Sequence, residues 1–104
     1  MEKVIREGKV AILISPDFGA GWFTWNSDHK ELLFHPKIVE MVKAKRQSEI
    51  DEQWMLENLG LADIYCGGAE NLTIVWLEEG TPFSVEEYDG SESIMVKEHL
   101  TLTA

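Results

Sequence analysis

Three stretches of the 104-residue chain carry side chains suited to chemistry. The first reads Pro16-Asp17-Phe18-Gly19-Ala20-Gly21-Trp22-Phe23-Thr24-Trp25-Asn26-Ser27-Asp28-His29. Gly19 and Gly21 allow another group to approach the backbone closely. Trp22 and Trp25, separated by Phe23 and Thr24, offer flat faces for stacking. With Asn26, Ser27, Asp28 and His29 as convergent polar groups, this loop can wall a ligand pocket. A base, a sugar or a cationic ligand suits it better than a polyphosphate. The alternative is that the rings fold back into the core or form a subunit contact. The second stretch is Cys66-Gly67-Gly68, a thiol followed by backbone amides able to hold an oxyanion. It needs a histidine, and His29, His35 or His99 could supply one only through the fold. The plainer reading is a small buried hydrophobe. The third stretch holds Glu78, Glu79, Glu86, Glu87, Asp89 and Glu92, six carboxylates in fifteen residues. Their spacing fits no calcium loop. They read as a solvated negative face or as a surface for a basic partner.

Other motifs fail on their own terms. Gly19-Ala20-Gly21 lacks the third glycine of a dinucleotide loop, since Thr24 stands there. The histidines lack zinc-ligand spacing, and Cys66 is the only cysteine. No Gly-x-Ser-x-Gly elbow or acid/base carboxylate pair stands out. No catalytic residue, metal or cofactor is expected.

The charge is segregated. Residues 1–46 hold 8 basic and 6 acidic side chains, whereas residues 47–96 hold 12 acidic side chains and no Lys or Arg. The net charge of −10 speaks against nucleic acid bound through a phosphate footprint and against anionic membranes. A local site for an anionic ligand stays open near Lys30 and Lys37. The hydrophobic fraction of 44% is too high for a disordered acidic tail. One compact domain over 1–104 is expected, in a reducing, cytoplasmic setting, with no signal peptide or membrane span.

These side chains need elements to position them. The apolar run 10–14, stopped by Ser15-Pro16, reads as a buried central strand. Residues 31–35 read as a short strand ended by Pro36. Pro36 suits the first position of a helix, with Ile38, Val39, Met41 and Val42 at helical spacing. Ser48 is expected to open a second helix, with Asp51 reaching back in a capping box. Gly60 suits the left-handed position after it, with Leu61 as the apolar contact of a Schellman ending. Ile64-Tyr65-Cys66 begins a change to period two. Residues 72–77 and 82–88, joined by Glu78-Glu79-Gly80-Thr81, read as an antiparallel hairpin. Asp89-Gly90 signals a type I′ turn into a returning strand at 93–96, which Leu100 and Leu102 either extend or leave frayed. The fold class is therefore α+β, a mostly antiparallel sheet of an N-terminal strand plus a C-terminal β-meander, with two helices in the middle of the chain.

Val10–Ser15 followed by residues 17–26, then Tyr65-Cys66-Gly67-Gly68-Ala69, Asn71 to Trp76, Glu79 to Phe83 and Glu87-Tyr88-Asp89-Gly90-Ser91-Glu92-Ser93-Ile94, together resemble a group of small uncharacterised bacteriophage and prophage proteins. That group pairs a Gly-Ala-Gly-Trp-Ser-Thr-Trp-Asn-like loop with a Glu-Tyr-Asp-Gly-x-Glu-like hairpin end. Phe23 stands where its pattern has Ser. The resemblance spans most of residues 10–94 and implies a phage accessory context, where small acidic proteins bind host factors, but no activity.

The expected function is a non-enzymatic binding protein of phage or prophage type, in the host cytosol, taking a small-molecule ligand or a basic host protein. The expected ligand-binding residues are Gly19, Gly21, Trp22, Thr24, Trp25 and Asn26 of the first loop, with Gly67, Gly68, Tyr88 and Asp89 as a second patch. Four Trp residues in a small chain and the edges of a meander point to a homo-oligomer. An acidic mimic of nucleic acid and, at greater remove, a Cys66-dependent hydrolase are the alternatives.

Overall fold

The computed structural model describes residues 1–96 and 102–104. It is an α+β fold, with a strand near the N-terminus, two central helices and meander-like sheets toward the C-terminus. One sheet holds β1 (Ile5–Arg6), β2 (Lys9–Ile14) and β3 (Thr73–Glu78) in the order β1-β2-β3. The other holds β4 (Pro82–Tyr88), β5 (Ser91–Val96) and β6 (Leu102–Thr103) in the order β5-β4-β6. All pairings are antiparallel.

The continuous apolar run at 10–14 follows from β2 being covered on both sides. Ala11 and Leu13 belong to a core shared with the helices, including Trp22, Leu32, Ile38, Val39, Ile50 and Met55. Val10, Ile12 and Ile14 belong to a second core with Phe83 and Leu102 of the other sheet. Alternate side chains of a strand point to opposite faces, so a doubly covered strand must be apolar at every position. Fully burying Ile12 or Leu13 contributes about 1.5–3 kcal/mol each.

The sequence expectation of a hairpin between 72–77 and 82–88 is corrected. β3 pairs with β2, placing Leu13 opposite Ile74 and Ala11 opposite Trp76, while β4 pairs with β5 and β6. The turn at Glu78 to Thr81 exists, with Gly80 at φ 88° and Thr81 N–H donating to Glu78 O at 3.1 Å. It passes the chain from one sheet to the other. Strand propensity does not specify a partner; β2 lies open beside β1 and takes β3 to complete its ladder.

Residues 31–35 are not a strand either. Lys30–Leu33 is a 3₁₀ turn that buries Leu32 and Leu33. Pro36 does open a helix, α1 (Pro36–Lys43), and His35 Nδ1 caps it by accepting the Lys37 N–H at 3.1 Å. The helix closes in a Schellman pattern, with Lys45 at φ 58° donating to Val42 O and Arg46 donating to Met41 O. The second helix, α2 (Glu52–Leu59), begins four residues later than Ser48. Asp51 is its N-cap, accepting from Trp54 N–H at 2.8 Å, and Ser48 lies in a 3₁₀ turn. Gly60 has φ 70°, and its N–H reaches Leu56 O. The Leu61 N–H reaches Met55 O, one residue wider than Schellman spacing. Residues 64–66 form no strand.

Asp89 and Gly90 have φ of 49° and 86°, and Tyr88 pairs with Ser91 across them, as a two-residue I′ turn requires. Leu102 returns beside Phe83, on the side of β4 away from β5. Leu100 and His99 lie outside the described residues.

Candidate functional site

The aromatic loop between β2 and the 3₁₀ turn is held from within by one carboxylate. Glu92, near the start of β5, is 1% exposed. Its Oε1 accepts the Ser15 N–H at 2.9 Å. Its Oε2 accepts the Trp22 N–H at 3.0 Å, the Thr24 N–H at 2.8 Å and the Thr24 hydroxyl at 2.7 Å. The Glu92 N–H donates in turn to Ser15 O at 2.8 Å. A buried charge without a cation is tolerable only when dipoles replace its water, and four donors do so here.

Glycines let the backbones meet. A Cβ on Gly90 would lie 2.5 Å from Ala20 N, and one on Gly68 would lie 2.8 Å from Gly21 O. The Ala20-Gly21 peptide is therefore in close contact with both the hairpin turn and the second glycine loop. Gly19 N–H donates to Asp89 O at 2.8 Å, and the Ser91 hydroxyl bonds Pro16 O. Asn26 ties in the second loop. Its Oδ1 accepts the Tyr65 N–H at 2.9 Å, and its amide donates to Tyr65 O at 2.9 Å and to Trp22 O at 2.8 Å.

The two patches expected from sequence thus adjoin, but half of their ten residues are buried or bound within the fold. Trp22 is fully buried, with Nε1 donating to Leu32 O at 2.9 Å, so its ring offers no stacking face to a ligand. Asn26, 9% exposed, has its polar atoms committed to Trp22 and Tyr65. Gly21 and Gly68 are buried, and Thr24 is bound to Glu92. Phe23 packs against both cores, which suits an apolar ring better than the Ser of the resembling pattern.

Gly19, Trp25, Gly67, Tyr88 and Asp89 remain exposed. Trp25 packs on Tyr65 with ring centroids 5.3 Å apart, and Phe18 meets Tyr88 edge-on at 6.4 Å. Phe18 is 71% exposed and Tyr88 73%, so this pair gains little from folding burial. Phe18 and Tyr65 were missed as site residues. Glu92 was missed as well, and its signal was positional. It shares a face of β5 with Ile94, which packs into the second core, so the reading of all six carboxylates as solvated surface fails at Glu92. Glu87 also has an internal role, accepting the Gly90 N–H at 2.9 Å.

Cys66 has the wrong electrostatics for a nucleophile. Burial, with help from the charges of Asp51 and Glu52, pushes its thiol up to about 11. An activated thiol is shifted the opposite way. Its sulfur lies 3.5 Å from Ile64 O. Of the two lysines considered for an anion, Lys37 donates to Asn58 O at 2.8 Å and Lys30 begins the 3₁₀ turn. Among the described residues, no group of three or more His, Cys, Asp or Glu side chains is placed to hold a metal, and no helix is long and apolar enough to cross a membrane.

No family model, curated protein or solved structure matches the chain.

Proposed function

We propose that the protein is a non-enzymatic accessory binding protein of the phage or prophage type, and that it grips a basic host protein in the host cytosol through the aromatic rim of the clamped loop. The observation that carries this reading is the contrast between the loop's inside and its rim. Inside, Glu92 and Asn26 satisfy the backbone and fix the loop. At the rim, Phe18, Trp25, Tyr65 and Tyr88 stand exposed as two aromatic pairs. Prefixed aromatic side chains bind with little further loss of entropy and are favoured anchors of interfaces. The exposed Asp17, Asp28, Asp63 and Asp89 belong to the same loops and hairpin end, which favours a cationic partner.

A small-molecule ligand at this loop has less support, because Trp22 and Asn26 are already used internally. Nucleic-acid mimicry is also weakened, since Glu92 is buried and Glu87 is bound to the turn. The raised thiol of Cys66 weighs against a hydrolase.

The test is native mass spectrometry of the protein after incubation with host lysate. A retained basic protein, released by moderate salt, is expected. Phe18→Ala with Tyr88→Ala, both exposed and away from the cores, is expected to weaken retention at least tenfold, or about 1.4 kcal/mol. Retention indifferent to this pair and to Trp25→Ala with Tyr65→Ala would sink the reading.

A further inference from the structure

β3 is the long open edge of the sheet it shares with β1 and β2. Among the described strands it pairs only with β2, so its other side carries no strand. Two backbone bonds show which way its groups point. Glu79 N–H reaches Gly8 O on the β2 side, whereas Ala11 N–H turns to Val4 O on the β1 side. Backbone groups alternate sides along a strand. Thr73, Val75 and Leu77 therefore bond with Ile14, Ile12 and Val10 of β2, and the N–H and C=O of Ile74 and Trp76 point away from the sheet. Among the described residues these outward groups meet no backbone partner.

Nothing in the sequence guards this edge. Leu72 to Leu77 contain no charge, no Pro and no Gly. Uncharged segments rich in β-branched and aromatic residues are the ones that pair with another chain when an edge stays open. The opposite edge of the same sheet, β1, is blunted by its length of two residues. β5, in the other sheet, already gives its Glu92 N–H to Ser15 O. Ile74, Val75, Trp76 and Leu77 are each only half-buried. Ile74 and Trp76 pack against one core, and Val75 and Leu77 against the other. A strand laid along β3 would cover apolar surface on both faces of the sheet.

We infer that this edge binds β3 of a second copy of the chain, antiparallel, about a two-fold axis at Val75. Symmetry leaves few registers, because the residue at the axis must face its own copy. With Val75 there, Ile74 of each copy faces Trp76 of the other, and their outward N–H and C=O groups exchange hydrogen bonds. A β-branched residue against an aromatic one is a favourable cross-strand pair, and symmetry supplies it twice. An axis at Trp76 would instead set Ile74 against the Glu78 carboxylate. An axis at Ile74 would call on Leu72, whose N–H is already bonded to Ala69 O. The ends are complementary in charge. Gln47 Nε2 donates to Leu72 O at 3.4 Å, which brings the Lys45-Arg46 connection to the first end of β3. Glu78 and Glu79 stand at the last end. Within one copy Arg46 is matched by Glu49 and Glu78 lies across from Lys9. Lys45 and Glu79 are both exposed and have no opposite charge within ion-pair distance among the described residues. Antiparallel pairing brings the Glu79 end of each copy beside the Lys45 connection of the other.

The test is amide hydrogen exchange of the intact protein, read by mass spectrometry across β3 at about 500 µM and about 0.5 µM, with light scattering for the mass. In the monomer the β2 ladder shields Thr73, Val75 and Leu77, while the Ile74 and Trp76 amides exchange as open groups. At the higher concentration those two amides are expected to slow at least about tenfold as the mass doubles. Val75→Lys sets two cations face to face at the axis and is expected to weaken dimerisation at least about tenfold. Its urea midpoint reports whether it stays folded, and the wild-type exchange decides the matter if it does not. A strict monomer at about 500 µM overturns the inference. So does a dimer whose Ile74 and Trp76 amides still exchange freely, or a folded Val75→Lys protein that dimerises like the wild type. These outcomes are independent of the lysate experiment, because no residue of β3 belongs to the aromatic rim.

Discussion

Glu92 shows how much one side chain can decide. Its two oxygens terminate three backbone N–H groups and one hydroxyl from residues 15–24. In Glu92→Gln one oxygen becomes an NH₂ group. Placed at the Oε1 position it faces the Ser15 N–H; placed at Oε2 it faces three donors. The cheaper arrangement still leaves a buried donor opposed and removes the charge that strengthened the remaining bonds. The expected loss is about 2–4 kcal/mol, read as a lower urea midpoint with unchanged slope. A loss within about 0.5 kcal/mol, typical of open surface, would contradict the clamp. Gly90 belongs to the same construction, since both its φ of 86° and its contact with Ala20 exclude a side chain.

Among the elements, α1 carries a pH-sensitive end. His35 Nδ1 accepts the Lys37 N–H at the helix start, which requires an unprotonated Nδ1. Burial first, then the charge of Lys37, holds its pKa below the ordinary 6.5. The unfolded chain therefore takes up this proton at higher pH than the folded one. Stability from this group is complete above the unfolded value. It is lost as pH falls from 6.5 through the lower folded value. Denaturant unfolding from pH 7.5 to 5 is expected to show that decline, and His35→Asn, which keeps a capping acceptor, should flatten it. An identical decline in both proteins would remove His35 as its source. The elements also divide by legibility. Pro36 and the Asp89-Gly90 turn act through local backbone geometry, so the sequence displayed them. The 3₁₀ turn at Lys30–Leu33 did not show, because its Leu32 and Leu33 face different cores. That placement gives an apolar pair which reads equally well as a strand.

For the whole molecule, the charge segregation has acquired a geometry. Arg6, Lys9 and Lys43 gather around Trp76, with Glu78 directly across from Lys9 and the Glu79 N–H bonded to Gly8 O beside them, while Glu86 and Asp89 lie exposed at the β4–β5 end. Opposite charges on different parts of one surface favour association of copies, and we extend the proposal of binding to include self-association. Among the described strands β5 pairs only with β4, and its Val96 is 54% exposed, which offers an edge for pairing. Light scattering after size exclusion is expected to show a dimer at micromolar concentration that dissociates as salt rises. A strict monomer at low salt would remove self-association and leave the host-protein reading standing.

The sequence by itself determined the α+β class, the doubly buried β2, the opening of α1, the left-handed Gly60 and the Asp89-Gly90 turn. Each depends on neighbours within a few residues or on an apolar pattern that has one stable use. Its glycines also marked residues 19–21 and 67–68 as places of close approach, which the sequence could assign only to a ligand; at Gly68 the group that comes close is the backbone of Ala20 and Gly21. Only the tertiary structure decided that β3 joins β2, that Glu92 is an internal anchor among surface carboxylates, and that Trp22 turns inward while Phe18 and Tyr88 turn out. Those outcomes depend on partners up to 77 residues away, as between Ser15 and Glu92. A carboxylate in a strand looks the same in sequence whether water or four backbone and hydroxyl donors wait for it.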